Sequence, residues 1–335
     1  MSWSLGALLR LARGVLDVLP GGSPWLLPDV EPAWVQHQAE AVGLEVRLTE
    51  GDQRIDAAFL VSGRTRSHDS WMQPPTSDDG EAGVAAFFAE WAEPSSVLHR
   101  HVGQVWLEFD QRGDGRWPGP PFVTFAIDPA LAPGAGPRSH VRLGDLVKSG
   151  LTTLVGARGR DVVPSILAAV GMLPDGGRLA HLAAMPHRGT SGARAVFALP
   201  SEAIAGFLRR LGWPGDAAMI EATLHDTWPQ RGQVSINLDF LPAIGPRIGV
   251  ELFRPTPPLD DPAWGPLLSS LAHRGLCEPA KRAAISAWPA RQPQDARRGG
   301  RLERHVLVKL VFEPACLAEA KAYLSAEPIL TMGVG

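Results

Sequence analysis

The sequence predicts an α+β fold: a closed antiparallel ten-stranded β-barrel surrounded by helices, built from five strand-strand-helix repeats in one domain over residues 1–335. Residues 103–110 with 121–128, and residues 232–239 with 246–253, read as two copies of one β-hairpin, each alternating strictly between apolar and polar side chains. Strand pairs begin near residues 44, 103, 179, 233 and 304, a spacing of about 65 residues that suits a repeated supersecondary unit. Amphipathic helical stretches lie between the pairs. Ten such strands close most economically into a barrel, because closure leaves no unpaired sheet edge.

The elements follow in order. Leu5, Leu8, Leu9, Ala12 and Leu16 recur at helical spacing, with Arg10, Arg13 and Asp17 among them, so the N-terminus is an amphipathic helix rather than a signal peptide or membrane span. The repeats run near 33–95, 96–172, 173–228, 229–290 and 301–335. Residues 64–83 and 291–300 are polar and rich in Gly, Pro, Asp and Arg, and read as mobile surface loops or lids; residues 128–137 form a Pro/Gly-rich connection. In the second hairpin Val105, Leu107 and Phe109 oppose Trp106, Glu108 and Asp110, and in the fourth Val234, Ile236, Leu238 and Phe240 oppose Ser235, Asn237 and Asp239. The third hairpin, 181–188 with 193–199, alternates poorly, and residues 189–192 serve as its turn. Helices are expected at 201–213 and 216–228, each with one apolar stripe. Asp260-Asp261 caps a further helix, and Pro279 opens another that continues through 281–288 and stops at Pro289.

Composition excludes several functions. The net charge is −3 and the basic residues are scattered, so there is no nucleic-acid footprint. Cys277 and Cys316 have no thiol or histidine at metal-ligand spacing and read as buried free thiols of a cytoplasmic protein. P-loop, dinucleotide fingerprint, His-Glu-x-x-His and nucleophile elbow are all missing. Trp213, Trp228 and Trp288 sit at helix ends, where packing explains them.

With the apolar strand faces under the helices, the equipped faces point into the lumen. Alternation assigns to that lumen Glu45, Arg47, Trp106, Glu108, Asp110, Phe122, Thr124, Ser235, Asn237, Asp239, Arg247, Glu251, Phe253, His305 and Lys309, with His187, Arg188 and Arg194 added from the third hairpin. Lys309 is one of only four lysines and lies between Val308 and Leu310. A desolvated cation needs an anion. Either Lys309, Arg47 and Arg247 pair with Glu45, Glu108 and Glu251, or they converge on a phosphate or diphosphate beside aromatics that stabilise positive charge.

The fivefold rhythm around an equipped barrel resembles the ABBA prenyltransferases, nearest the peptide prenyltransferases of cyanobactin pathways. The resemblance implies transfer of a prenyl group from an allylic diphosphate to a side chain of a ribosomal peptide precursor, with no cofactor and with magnesium unnecessary or merely assisting. It implies that Glu45, in Leu44-Glu-Val-Arg, or Glu108 acts on the acceptor and that Arg47, Arg247 and Lys309 hold the diphosphate. That family shields its carbocation with tyrosines, and no predicted strand here contains one, so Trp106, Phe122 and Phe253 substitute. Asp110, Asn237, Asp239, Glu251 and His305 complete the substrate wall. Residues 275–282 running to Trp288-Pro289, and 319–324, also resemble uncharacterised bacterial proteins found with peptide natural-product genes, which implies a peptide partner. Two alternatives stay open: a non-catalytic barrel that binds a precursor peptide or apolar ligand, and another peptide-modifying enzyme that uses lumen carboxylates such as Glu108 and Asp110.

Overall fold

In a computed structural model of the chain, the alternating segments become ten antiparallel strands: β1 (Ala41–Arg47), β2 (Ile55–Ser62), β3 (Gln104–Phe109), β4 (Phe122–Ala126), β5 (Arg178–Ala184), β6 (Ala193–Pro200), β7 (Gln233–Phe240), β8 (Ile244–Arg254), β9 (Gly300–Glu313) and β10 (Cys316–Leu330). The structure describes residues 3–17, 23, 25, 38–63, 79–111, 121–132, 137–184, 192–229, 232–241, 243–256, 258–288, 291–293 and 300–330. Neighbours in sequence pair from β1 to β8 and from β9 to β10, β10 returns to pair with β1, and β8 pairs with β9 to close the ring. The expected barrel is present. Arg291–Pro293, expected as loop, instead pairs with β9 as a short extra strand, and Trp3–Ser4 pairs with Gln38–Ala39 outside the barrel.

Alternation sorts the two faces as expected. Val105, Leu107, Phe109, Val234, Ile236, Leu238 and Phe240 all belong to one buried outer core, which covers the outside of the barrel beneath the helices. The poor alternation of the third hairpin has a physical cause. Its register shifts between Leu179 and His181, and Leu179 and Leu182, three residues apart, both enter the outer core, as an inserted residue requires.

The described helices are α1 (Leu5–Asp17), α2 (Asp79–Ala92), α3 (Val97–His101), α4 (Pro137–Val155), α5 (Ala157–Gly171), α6 (Ile204–Arg210), α7 (Ala217–Thr227), α8 (Trp264–His273) and α9 (Pro279–Ser286). Leu5, Leu8, Ala12 and Leu16 are the buried stripe of α1. The first helical turns of α2 replace the last residues of the loop expected at 64–83. Close approach decides how α4 sits: a Cβ on Gly150 would stand 2.5 Å from Cζ of Phe125 in β4, so a bare backbone rests on the ring. The helix expected over 201–213 ends at Arg210, because Gly212 turns to φ 69° and the Trp213 N–H reaches back to the Leu208 carbonyl at 3.0 Å. Asp216 caps α7 by accepting from the Ala218 N–H at 2.9 Å. Asp261 caps nothing: α8 begins at Trp264 after Ala263, and Asp261 accepts from Arg254 and from the Ala263 N–H in the preceding turn. Trp228 stacks edge-on with Trp264, and Trp288 packs under Arg304, which accounts for these rings by packing.

Cys277 is buried and its thiol is pushed up to about 11 by desolvation, whereas Cys316 is exposed, contrary to the expectation of two buried thiols. Among the described residues no helix is long and apolar enough to cross a membrane.

Lys281 of α9 is 1 % exposed. Its ammonium donates to the carbonyls of Thr49 at 2.5 Å and Asp52 at 2.6 Å, and stands 3.4 Å from Glu278. It thereby fastens the β1–β2 connection to the helix layer. Lys281→Met should cost about 2 kcal/mol, since two half-buried carbonyls lose a charged donor; urea unfolding should show a lower midpoint at unchanged slope.

Candidate functional site

Strand register builds the lumen. Across β8, β9, β10 and β1 it sets Glu251 opposite Lys309, Lys309 opposite Lys321, and Lys321 opposite Arg47. One step along, it sets Tyr323 opposite Glu45 and Glu45 opposite Asp56. Directly opposed like charges are unfavourable. The two rows offset one another: the Lys321 ammonium reaches Glu45 at 2.7 Å and Arg47 reaches Asp56 at 2.6 Å and Glu45 at 3.8 Å, while Lys309 meets Glu251 of its own row at 3.4 Å. Arg194 of β6 forms a bidentate pair with Asp239, its cross-strand partner, at 2.7 and 3.1 Å. Arg247 meets Glu319 at 2.5 Å at the exposed rim.

Two contiguous cavities occupy this lumen. The first holds about 790 Å³, space open to solvent included, and is charged: Glu45, Asp56, Glu108, Asp110, Asp239, Arg194, Arg247, Lys309 and Lys321 line it. The second holds about 1060 Å³ on the same measure, and its wall includes Trp106, Phe122, Phe253, His181 and His305. Ala58, Glu108, Arg194, Asn237, Lys309 and Tyr323 belong to both walls.

Of the residues expected from sequence, Glu45, Asp110, Asp239 and Arg247 line the charged cavity, Trp106, Phe122, Glu251, Phe253 and His305 the aromatic one, and Glu108, Asn237 and Lys309 both. Arg47 and Ser235 are the exceptions, for they line neither cavity. Arg47 is 8 % exposed, and its guanidinium is committed to Asp56 and Glu45. Arg194, drawn from the ill-patterned third hairpin, joins the shared wall; His187 and Arg188 lie outside the described residues.

Lys321 and Tyr323 were not anticipated as site residues. The expectation of no strand tyrosine is overturned, for Tyr323 lies in β10 and faces the lumen. Its run is rich in Ala, Glu, Lys and Leu, which favour helices. The available signal was period two: Glu319, Lys321, Tyr323 and Ser325 alternate with Ala320, Ala322, Leu324 and Ala326.

Protonation follows from these contacts. Burial would raise the Glu45 pKa, but Lys321, Lys309 and Arg47 outweigh it and hold the carboxylate far below its ordinary range. Burial also lifts the Tyr323 pKa well up, with Glu45 adding to the effect, so the phenol stays protonated and donates to Glu45. Its ring lies 5.7 Å from the Lys309 ammonium, a cation–π distance. Desolvation lowers the Lys309 pKa, with Glu251 pulling the other way. Desolvation likewise lowers His181, leaving a neutral imidazole in the aromatic cavity. Glu108 differs from Glu45. Its pKa is raised, first by burial, then partly restored by the Thr124 hydroxyl that donates to it at 2.6 Å, with Glu45 adding repulsion.

The arrangement joins a pocket of paired cations and carboxylates to an aromatic pocket, with Glu108, a carboxylate of raised pKa, at the border. Among the described residues no group of three or more His, Cys, Asp or Glu is placed to hold a metal ion.

No protein-family model matches the sequence, and no curated protein matches it. Among solved structures the chain is similar to the apo form of the prenyltransferase PriB, at 15% identity and TM-score 0.46, over 96% of this chain and 90% of that one. PriB in ternary complex with L-tryptophan and dimethylallyl thiolodiphosphate gives 16%, 0.49, 96% and 90%. A 6-dimethylallyl tryptophan synthase gives 17%, 0.49, 96% and 94%. Likeness at this level carries no argument about this chain: its fold rests on its own strand pairing and the roles of the lumen residues on their own geometry.

The pKa of Glu45 is depressed in the native state alone, so the stability it confers is complete above the ordinary glutamate pKa of about 4.3 and is lost progressively as pH falls below it. Lys321→Ala removes the largest of its cationic partners. Thermal melts from pH 7 to pH 3 should show a shallower loss of stability in this variant than in the wild type.

Proposed function

We propose that the chain is a prenyltransferase that moves a prenyl group from an allylic diphosphate to a side chain of a ribosomal peptide precursor, without a metal ion, in the bacterial cytoplasm. The observation that supports it is the division of one lumen into a charged and an aromatic cavity with Lys309, Tyr323 and Glu108 in the shared wall. In the reaction the C1–O bond breaks and its electron pair leaves with the diphosphate. Lys309, Lys321, Arg194 and Arg247 meet the charge that develops there, the kind of preorganised electrostatics that lowers barriers most. Trp106, Phe122 and Tyr323 present π faces to the allylic cation. The acceptor atom forms its bond to C1 and gives its proton to a carboxylate.

Glu108 is the better base of the two candidates. Glu45 is occupied by Lys321 and Tyr323 and lines only the charged cavity, whereas Glu108 faces both cavities and receives one hydroxyl from Thr124. A base works best when its pKa is near the working pH. Glu45 then serves to orient Lys321 and Tyr323. The peptide nature of the acceptor rests on the sequence resemblance at 275–288 and 319–324, and the half-exposed Phe253 leaves the aromatic cavity reachable for a side chain still carried on its peptide.

A second reading has an observation of its own: Lys309, Lys321, Arg194 and Arg247 are each paired with a carboxylate, as in a barrel that only binds a peptide or apolar ligand. Calorimetric titration with dimethylallyl and geranyl thiodiphosphate, with and without magnesium, separates the two. Prenyl transfer expects tight binding that magnesium scarcely changes and that Lys309→Ala weakens severely; a silent titration favours the binding barrel.

Glu108→Gln should lower turnover about a hundredfold or more, the usual contribution of a general base, while diphosphate affinity stays near wild type. Because Glu108 must be ionised to accept a proton and its pKa is raised, the acidic limb of the rate profile should lie above the ordinary carboxylate range. In Glu108→Gln that limb should vanish.

A further inference from the structure

Gly249 stands on the inner face of β8, opposite Val311 of β9 and Asn237 of β7. A Cβ at this position would lie 2.4 Å from Cε of Lys309. Only a residue without a side chain lets Lys309 lie flat across β8, and it does so: its ammonium donates to Oδ1 of Asn237 at 2.9 Å. An ammonium can only donate, so the amide oxygen must face it and the Nδ2 group is turned away. Asn237 is 5 % exposed, and its Nδ2 has no partner among the described residues. Buried donors without acceptors are rare and costly. Asn237 is one of the residues of the wall common to both cavities, in company with Lys309, Arg194 and Glu108. Lys309 and Arg194 flank it, each also paired with a carboxylate, Glu251 and Asp239, and an oxyanion is the acceptor that the amide and both cations could share.

We propose that Asn237 donates its amide N–H to a diphosphate oxygen, and that Gly249 is the positioning residue whose open space lets Lys309 both contact that anion and orient the amide. The assignment rests on the diphosphate reading above and names a neutral member of the site beside its cations. The arrangement is self-consistent: Lys309 neutralises charge at one point, and the amide adds a directed hydrogen bond without adding to the cation count.

The test is calorimetric titration of the whole chain with inorganic pyrophosphate, comparing wild type, Asn237→Ala, Asn237→Asp and Gly249→Ala. Asn237→Ala should weaken binding about tenfold or more, the loss of one hydrogen bond to a charged group. Asn237→Asp should weaken it further, because a carboxylate keeps Lys309 engaged while repelling the anion. Gly249→Ala should weaken it too, with the thermal midpoint near wild type, because what the new methyl displaces is the end of a flexible side chain. Added to Lys309→Ala, Gly249→Ala should change nothing more. Wild-type affinity in Asn237→Ala overturns the assignment and leaves the diphosphate reading intact; additive losses overturn the role given to Gly249. A wild-type chain that binds no pyrophosphate overturns both the assignment and the reading beneath it.

Discussion

The pairing of β8 with β9, from Ile248 opposite Phe312 to Arg254 opposite Val306, closes the ring on which the lumen depends. The two strands are separated in the chain by α8 and α9, so this contact must be formed across a long loop, against its closure entropy. It is stabilised on the outside, where Ile248, Val250, Leu252, Val306, Val308, Leu310 and Phe312 lie in the apolar core. On the inside it brings Glu251 opposite Lys309. An open sheet would leave both side chains in water, where such a pair is worth little; closure moves them into a partly desolvated space where charge matters far more.

Once the ring is closed, its interior has to solve a charge problem. Opposed pairs such as Lys309 with Lys321 and Glu45 with Asp56 conflict within their own rows, and stability comes from diagonal contacts between rows. The protein retains these conflicts rather than filling the barrel with apolar side chains, although apolar replacement of buried ion pairs is often neutral or stabilising. Some lumen cations have merely local duties. Arg47 closes the base of the first hairpin through Asp56, and Asp56 in turn accepts from the Gln111 N–H at 2.7 Å.

Where the pattern was simple, the fold could be read directly. Strict alternation in β3, β7 and β8 assigned Glu108, Asn237, Asp239 and Glu251 to the inner face, and the structure places them there. Where one residue was inserted, as between Leu179 and Leu182, the period broke, and Arg194 on the partner strand could be assigned only loosely. In β10 the alternation was intact, yet an alanine-rich run with helix-forming residues concealed it, and Tyr323 and Lys321 went unrecognised. Helix ends were misplaced by two or three residues at Trp213 and Asp261, because the deciding hydrogen bonds use backbone groups that composition does not reveal.

Local periodicity, being a property of each strand alone, was enough to define ten strands, their two faces and a ring of helices. It could not say which charge meets which. That Arg47 turns to Asp56 rather than to a ligand, that Lys321 rather than Arg47 stands beside Lys309, and that Asn237 is left with an unused amide donor all follow from register between strands far apart in the chain. Register depends on ring closure, bulges and the space left by Gly249, and these are set by packing among distant residues that no single segment encodes.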